Sequence, residues 1–306
     1  MAATPSPLVS VILPTFNRPA RLAGAVRSVL EQSYPNLELL VIDDASTVEG
    51  VPEAVAEGAG DDGRVRLERL EHNGGVSRAR NVALGQATGE LVAFIDDDDR
   101  WHPEKTAKQV HYLSTHPEVG LVTCDHLMVI EGSTRAPLHY RGPREVGAEQ
   151  LLWANFVGGF SFVMGRRPLL GGELGIDETF RSVEDWDLWL RCARVTGVGV
   201  IPEPLVEYVF HGGPRLTDVD VKRRGLEQFE EKHGAAMSRA CHAFHRAHQR
   251  MEEGSGWAKR RRVFGALASA APPAMAMLLL EQATRQGGRM VRDPGLWARA
   301  LARALA

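Results

Sequence analysis

Four consecutive aspartates, Asp96 to Asp99, close the apolar run that begins at Leu91 in LVAFIDDDDRW. Carboxylates about 5 Å apart repel by roughly 3 kcal/mol at an effective dielectric of about 20, so such a cluster favours solvent, a cation or positively charged partners. A plainer role is also open: Asp is a good N-cap and Pro suits a first helical turn, so the turn can simply cap a helix opening at Pro103. A second acidic pair, Glu184-Asp185, stands at the start of another helical stretch, where the helix dipole favours negative charge.

The elements around these residues decide how they converge. Leu8 to Leu13 is a short β-branched run ending at Pro14-Thr15, and Leu37 to Ile42 is a second apolar run ending at Asp43-Asp44. Between them, Leu22, Val26, Val29 and Leu30 share one face of a helix, so strand, helix and strand imply a right-handed parallel crossover. A weak helix and loop over 51–63, a strand over Val65 to Leu70, a turn at His72-Asn73-Gly74-Gly75 and a helix over 76–87 follow. That last helix carries Arg78 and Arg80 in its first turn, at a spacing that points the two side chains in different directions. In an open α/β sheet, ligands bind at the carboxyl ends of the parallel strands. Thr15, Asp43-Asp44 and Asp96 to Asp99 would line that crevice together.

Further on, a helix is expected from Pro103 to about His116, then a strand or strand pair over Val119 to Ile130. A region rich in Gly and aromatics follows, with a short helix near Glu149 to Trp153 and the run NFVGGFSFVM. Gly158, Gly159 and Ser161 suit either close backbone approach or ordinary turns. A helix over Glu184 to Val195 and strands over Val198 to Ile201 and Leu205 to Phe210 lead to His211. The composition then shifts, so the chain divides into a domain over 1–217 and a helical, net-basic extension over 218–306.

With 306 residues, 44% hydrophobic and 25% charged, the chain can bury a full core and reads as a globular domain with an appendage. A formal net charge of -3 argues against nucleic acid as the main partner. Cys124, Cys192 and Cys241 lie far apart without metal-ligand spacing and read as reduced, buried thiols. The N-terminus shows no basic segment followed by an apolar core, and no apolar run reaches membrane-spanning length. The expected location is the cytoplasm, with peripheral contact at the inner face of the membrane as an option.

VSVILPTFNR at 9–18, VIDDAS at 41–46, NGGVSRARN at 73–81, FIDDDDRWHPEK at 94–105 and VEDWDLWLR at 183–191 together resemble the family-2 glycosyltransferases of GT-A fold. The five motifs, in order, span about 200 residues. The resemblance implies an α/β, Rossmann-like nucleotide-binding fold with a mostly parallel central sheet. It also implies inverting transfer of a sugar from a nucleotide-sugar donor to an acceptor, with Mg²⁺ or Mn²⁺.

By that resemblance Pro14, Thr15, Asp43 and Arg78 contact the nucleotide, Asp43 and Arg78 beside a base that suits uracil and hence a UDP-linked donor. For Asp43 an Asx-turn is the plainer alternative, and for Arg78 a surface helix charge. Asp44 looks like a loop-shaping residue. Asp96, with Asp97, falls on the donor side near the ribose and Asp98 on the metal, although acids at all four positions leave the ligating carboxylate open. Asp185 matches the family's catalytic base and Glu184 stands beside it. His211 matches a position where some members place a metal- or diphosphate-binding histidine, and a plain loop histidine fits equally. Trp186 and Trp189 read more as core than as a sugar platform.

The acceptor expected from these readings is a saccharide or lipid-linked hydroxyl of a cell-envelope polysaccharide, glycolipid or other glycoconjugate. A peptide acceptor and a non-catalytic nucleotide-sugar-binding module are the alternatives. A sugar nucleotidyltransferase fits less well, since that class opens with a Gly-rich loop where this chain has PTFNR. In the extension, Lys259-Arg260-Arg261-Arg262 beside Val263, Phe264 and Leu267 suits an anionic membrane surface; a solvated helix face or homo-oligomer contact suits it as well.

Overall fold

The computed structural model describes residues 6–132, 137–140, 143–210 and 219–252. The strands are β1 (Val9–Thr15), β2 (Leu37–Asp43), β3 (Val65–Arg69), β4 (Leu91–Phe94), β5 (Arg100–Trp101), β6 (Val119–Ile130), β7 (Leu138–Tyr140), β8 (Met164–Arg166) and β9 (Gly197–Phe210). Among the described residues they form one sheet in the order β3-β2-β1-β4-β8-β6-β9-β5, with β7 beside β6. Strands β1 to β4 run parallel, as does the β6–β9 pair, while β8, β5 and β7 enter antiparallel.

The helices are α1 (Pro19–Leu30), α2 (Val51–Ala59), α3 (Val76–Gln86), α4 (Lys105–Thr115), α5 (Ala148–Trp153), α6 (Glu184–Ala193), α7 (Val219–His233) and α8 (Arg239–Glu252). The sheet's parallel half is buried on both faces: Val9, Val11, Ile12 and Leu13 of β1 and Leu39 to Ile42 of β2 are essentially inaccessible. Apolar runs of this kind, covered by helices, characterise parallel sheets. Leu22, Ala25, Val26 and Val29 of α1 and Ala79 and Ala83 of α3 form the helical side of that core.

The chain separates into two compact units. The first comprises Met1–Gly147, Val157–Thr179 and Glu184–Gly213, and holds the whole sheet. The second comprises Ala148–Phe156, Phe180–Val183 and Pro214–Ala306. Within the second, α5 meets α8 through the rings of Trp153 and Phe244, with centroids 5.7 Å apart. The Leu152 carbonyl accepts from Cys241 Sγ at 3.2 Å and from His245 Nε2 at 2.7 Å. All three cysteines are free and buried, as expected. Among the described residues no helix is long and apolar enough to cross a membrane. The basic cluster over 259–262 lies outside them.

Three local expectations change. The aspartate turn does not cap a helix at Pro103: the chain first forms β5, which pairs with β9 through Arg100 and Trp101. Helix α4 opens only at Lys105, and Glu104 at its N-cap makes no side-chain cap bond. The two short strands expected over Val198 to Phe210 are one strand, β9, made continuous by irregular register against β6.

Candidate active site

Parallel register places the polar strand tips side by side. Thr15 is the register partner of Asp43, and Ile12 that of Phe94, so the chain past β4 emerges beside the end of β1. The four aspartates then alternate. Asp97 and Asp99 turn inward and are buried, whereas the side chains of Asp96 and Asp98 keep 34% and 15% of their surface.

Asp97 accepts from Thr15 Oγ1 at 2.8 Å and from Arg18 Nη1 at 3.3 Å. Burial pushes its carboxyl up to about 6, with Asp98 and Asp96 adding to the rise against the pull of Thr15 and Arg18. Asp99 accepts from the Val209 backbone N–H at 3.2 Å, and burial first, then Asp96 and Asp98, raises its carboxyl well above the usual range. Arg18 Nη1 also reaches Asp98 at 3.1 Å. The Asp96 backbone N–H donates to Ser161 Oγ at 3.0 Å, which fixes the start of the turn.

On the neighbouring strand tip, Asp43 is buried and its Oδ1 accepts from the Ser46 N–H at 2.9 Å, an Asx-type turn, while Oδ2 lies 3.7 Å from Arg69. Asp44 shapes the loop before α3: its two oxygens accept from the N–H groups of Gly74 at 2.9 Å and Gly75 at 2.8 Å. Gly75 has φ +89°, which glycine adopts without steric cost. Arg78 is exposed, and its stem crosses Gly74 so closely that a Cβ there would lie 2.2 Å from Arg78 Cδ. Pro14 sits within β1, paired with Ile42.

Arg80, which the sequence marks only by its place in the first turn of α3, is a buried cation of the site. It is only 3% exposed, and its Nη2 lies 2.7 Å from Asp96 while its Nη1 lies 3.1 Å from Glu184. Its guanidinium stacks 3.8 Å from the centre of the Phe160 ring. The signal was present: Arg80 shares a helix face with Ala83 and Leu84, three and four residues on, and that face is buried. Arg18 was likewise legible only as part of a motif.

At the start of α6, Glu184 is buried against Arg80, and Asp185 beside it is half-buried. Crowding by protein atoms raises the Asp185 carboxyl to about 7, Glu184 adds to the rise, and the Trp186 N–H and Arg80 oppose it. Behind it the helix is tied to the loop before it: Asp187, fully buried, holds Arg191 at 2.9 Å, and Arg191 donates to the carbonyls of Leu174 and Gly175. Trp186 and Trp189 are core, and Trp189 Nε1 donates to the Gly158 carbonyl at 2.8 Å. His211 lies outside the described residues. Thr15, Asp43, Arg78, Arg80, Asp96 to Asp99, Glu184 and Asp185 all belong to the first unit.

Comparison with known proteins identifies the family. The family model described as Glycosyl transferase family 2 matches residues 10–171. The chain belongs to glycosyl transferase family 2. It is 34% identical over 191 residues to the uncharacterized protein y4gI of Sinorhizobium fredii, covering 61% of this chain and only 20% of that protein's length. It is 32% identical over 204 residues to the putative teichuronic acid biosynthesis glycosyltransferase TuaG of Bacillus subtilis, covering 66% of this chain and 79% of TuaG. It is 29% identical to the putative colanic acid biosynthesis glycosyl transferase WcaA of Escherichia coli, covering 77% and 84% of the two chains.

Two solved structures share the fold. S. aureus TarS 1-349 in complex with UDP-GlcNAc superposes with a TM-score of 0.60 at 19% identity, over 91% of this chain and 87% of that one. The mannosyltransferase PcManGT from Pyrobaculum calidifontis, in complex with GDP-Man and Mn2+, gives 0.59 at 24% identity, over 99% and 87%. The fold of this family-2 chain is therefore the mixed α/β, GT-A type architecture expected, with C-terminal helices present.

The aspartate turn also tests the implied metal. Among the described residues no three side chains of His, Cys, Asp or Glu group closely enough to hold an ion by themselves. Asp96 and Asp98 offer hard carboxylate oxygens at the outer side of the turn, which fits an Mg²⁺ or Mn²⁺ ion that draws its remaining ligands from a diphosphate and water.

Proposed function

We propose that this chain is an inverting glycosyltransferase that moves a sugar from a UDP-linked donor to a hydroxyl acceptor in cell-envelope polysaccharide or glycolipid synthesis. The observation that carries it is the pairing of two acidic sites across one guanidinium: Arg80 contacts Asp96 of the strand-tip turn and the buried Glu184 at the head of α6, with Asp185 next to it. The names of TuaG and WcaA support an envelope polysaccharide. The nucleotide-sugar complexes of TarS and PcManGT support a nucleotide-sugar donor.

In this reading Thr15, Asp43 and Arg78 flank the nucleotide, with the Pro14 backbone below it. Asp43 Oδ2 is not used by the Ser46 bond and lies 3.7 Å from Arg69, which leaves it lone-pair capacity suited to the ring N–H of uracil. Asp96 faces the ribose, and Asp97 holds Thr15 and Arg18 in place from beneath. Asp98 would hold the divalent ion, whose chemistry is to neutralise charge on the departing diphosphate; PcManGT with Mn2+ supports that role. His211 is kept as a further candidate for that ligand set.

On the opposite side Asp185 accepts the proton of the acceptor hydroxyl as it attacks the anomeric carbon, and the carbon inverts as the nucleotide leaves. Its raised pKa suits this work, because an ordinary aspartate is a weak base. Glu184 orients the acceptor side and balances Arg80.

A panel of UDP-, GDP-, TDP- and CMP-sugars with Mn²⁺, read by thermal shift and nucleotide release, tests the donor reading. UDP-sugars should stabilise the protein most, in line with ligand linkage. A GDP-sugar in first place would correct the base, and no response to any nucleotide-sugar would overturn the reading.

A further inference from the structure

Arg80 has no assigned part in the reaction just described, yet it is buried and touches both halves of the site. Its two terminal nitrogens are divided between carboxylates 88 positions apart in sequence, Asp96 at 2.7 Å after β4 and Glu184 at 3.1 Å at the head of α6. A guanidinium is a planar fork whose geometry is fixed once its plane is fixed. Here the plane is held by Phe160, 3.8 Å from the guanidinium carbon. Phe160 in turn packs between Phe94 of β4 and Trp189 of α6, with ring centroids 5.0 and 5.1 Å away. The Nε–H is buried without a hydrogen-bond partner, so the side chain is seated for its two carboxylates and not for a wider set of bonds.

We propose that Arg80 is a positioning residue that couples donor binding at Asp96 to the placement of Glu184, and with it the adjacent Asp185, on the acceptor side. The inference rests on the donor and acceptor sides proposed above. One positive charge is shared between two carboxylates. A change at either carboxylate therefore alters the share available to the other, and the coupling must be reciprocal for binding. A nucleotide that engages Asp96 draws on the Arg80–Asp96 contact and shifts the guanidinium's weight to Glu184. Neutralising Glu184 acts in reverse: the guanidinium then pairs more strongly with Asp96 and competes with the nucleotide for that carboxylate. Lysine cannot reproduce this, because an ammonium has no fork to span two carboxylates and no plane to lie on Phe160.

The test is calorimetric binding of UDP, and separately of GDP, with Mn²⁺ to the full chain, its E184Q and R80K variants, and the E184Q/R80K double variant. E184Q should weaken nucleotide binding about fivefold or more, within the usual range of coupling between sites, although Glu184 lies on the acceptor side. The same substitution in the R80K background should change affinity less than twofold. An unchanged dissociation constant in E184Q, or an equal shift with and without Arg80, overturns the proposal. If the unaltered protein binds neither nucleotide, the donor reading fails separately. The bridge is then read in the ligand-free chain by thermal unfolding of D96N, E184Q and the pair: non-additive shifts that become additive in R80K support it, and additive shifts throughout overturn it.

Discussion

Arg18 Nη1 lies 3.3 Å from Asp97 Oδ1 and 3.1 Å from Asp98 Oδ2, so one guanidinium spans two of the four aspartates. A divalent ion bound to Asp98 would meet that positive charge at close range. R18Q should therefore strengthen Mn²⁺ binding in the absence of nucleotide, seen as a larger Mn²⁺-induced rise in thermal midpoint than in the unaltered protein. D98N should abolish the rise in both backgrounds and cost orders of magnitude in turnover, since charge on a leaving phosphate is where such ions act. Equal Mn²⁺ responses in all of these proteins would contradict the placement.

As the proposed base, Asp185 should set the pH dependence of turnover. Its carboxyl titrates near 7 because burial and then Glu184 disfavour the charged form. A base must be ionised, so turnover at saturating donor should rise with pH through about 7 and level off above it. E184Q removes a neighbouring negative charge, which lowers the Asp185 pKa, so the rising limb should move to lower pH. A limb that stays in place would show that another group titrates.

The same group carries a stability cost. With a folded pKa raised from 3.8 to about 7, Asp185 binds its proton more tightly in the folded state, so its contribution is full at acid pH and is lost as pH rises through about 7. D185N should raise the thermal midpoint at pH 8 by about 2–4 °C for each kcal/mol regained in a chain of this size, and the gain should vanish near pH 4. Thermal unfolding of the two proteins across pH checks it.

Lys105 is fully buried, with Nζ 2.7 Å from Gln109 Oε1 and 3.7 Å from the centre of the Trp101 ring, and burial lowers its pKa to about 7. Here the unfolded chain holds the proton more tightly, so stability rises with pH from about 7 towards the ordinary lysine value of 10.5. K105M, which keeps the volume without the charge, should gain most over the unaltered protein below pH 7 and least at alkaline pH. A constant difference across pH would mean that Lys105 stays charged in the fold.

The strand tips were legible because the parallel strands are near-continuous apolar runs, each broken by a polar residue, and β-strand register brings those breaks to one edge of the sheet. Thr15 beside Asp43, and Asp44 as the residue shaping the Gly74-Gly75 loop, follow from that pattern. Strand β5 was not legible, since two residues carry no periodicity and exist as strand only through pairing with Val206 and Glu207 far along the chain. That pairing also explains the late start of α4: the chain cannot turn helical until it leaves the sheet, where the His102 N–H still donates to the Leu205 carbonyl at 2.9 Å. The burial of Asp97 and Asp99 against the exposure of Asp96 and Asp98 depends on Thr15, Arg18 and the Val209 N–H, all distant in sequence. Two arginines on one helical turn look alike in composition, and only Ala83 and Leu84, which share the face of Arg80, mark it as the buried one.

The central claim is that Asp185 is the base of an inverting transfer, and the most direct measurement is turnover of D185N at saturating nucleotide-sugar with donor affinity measured in parallel. The account predicts a loss of about 10² or more in turnover, the usual scale for a general base, with donor affinity little changed. Near-normal turnover in D185N would contradict it.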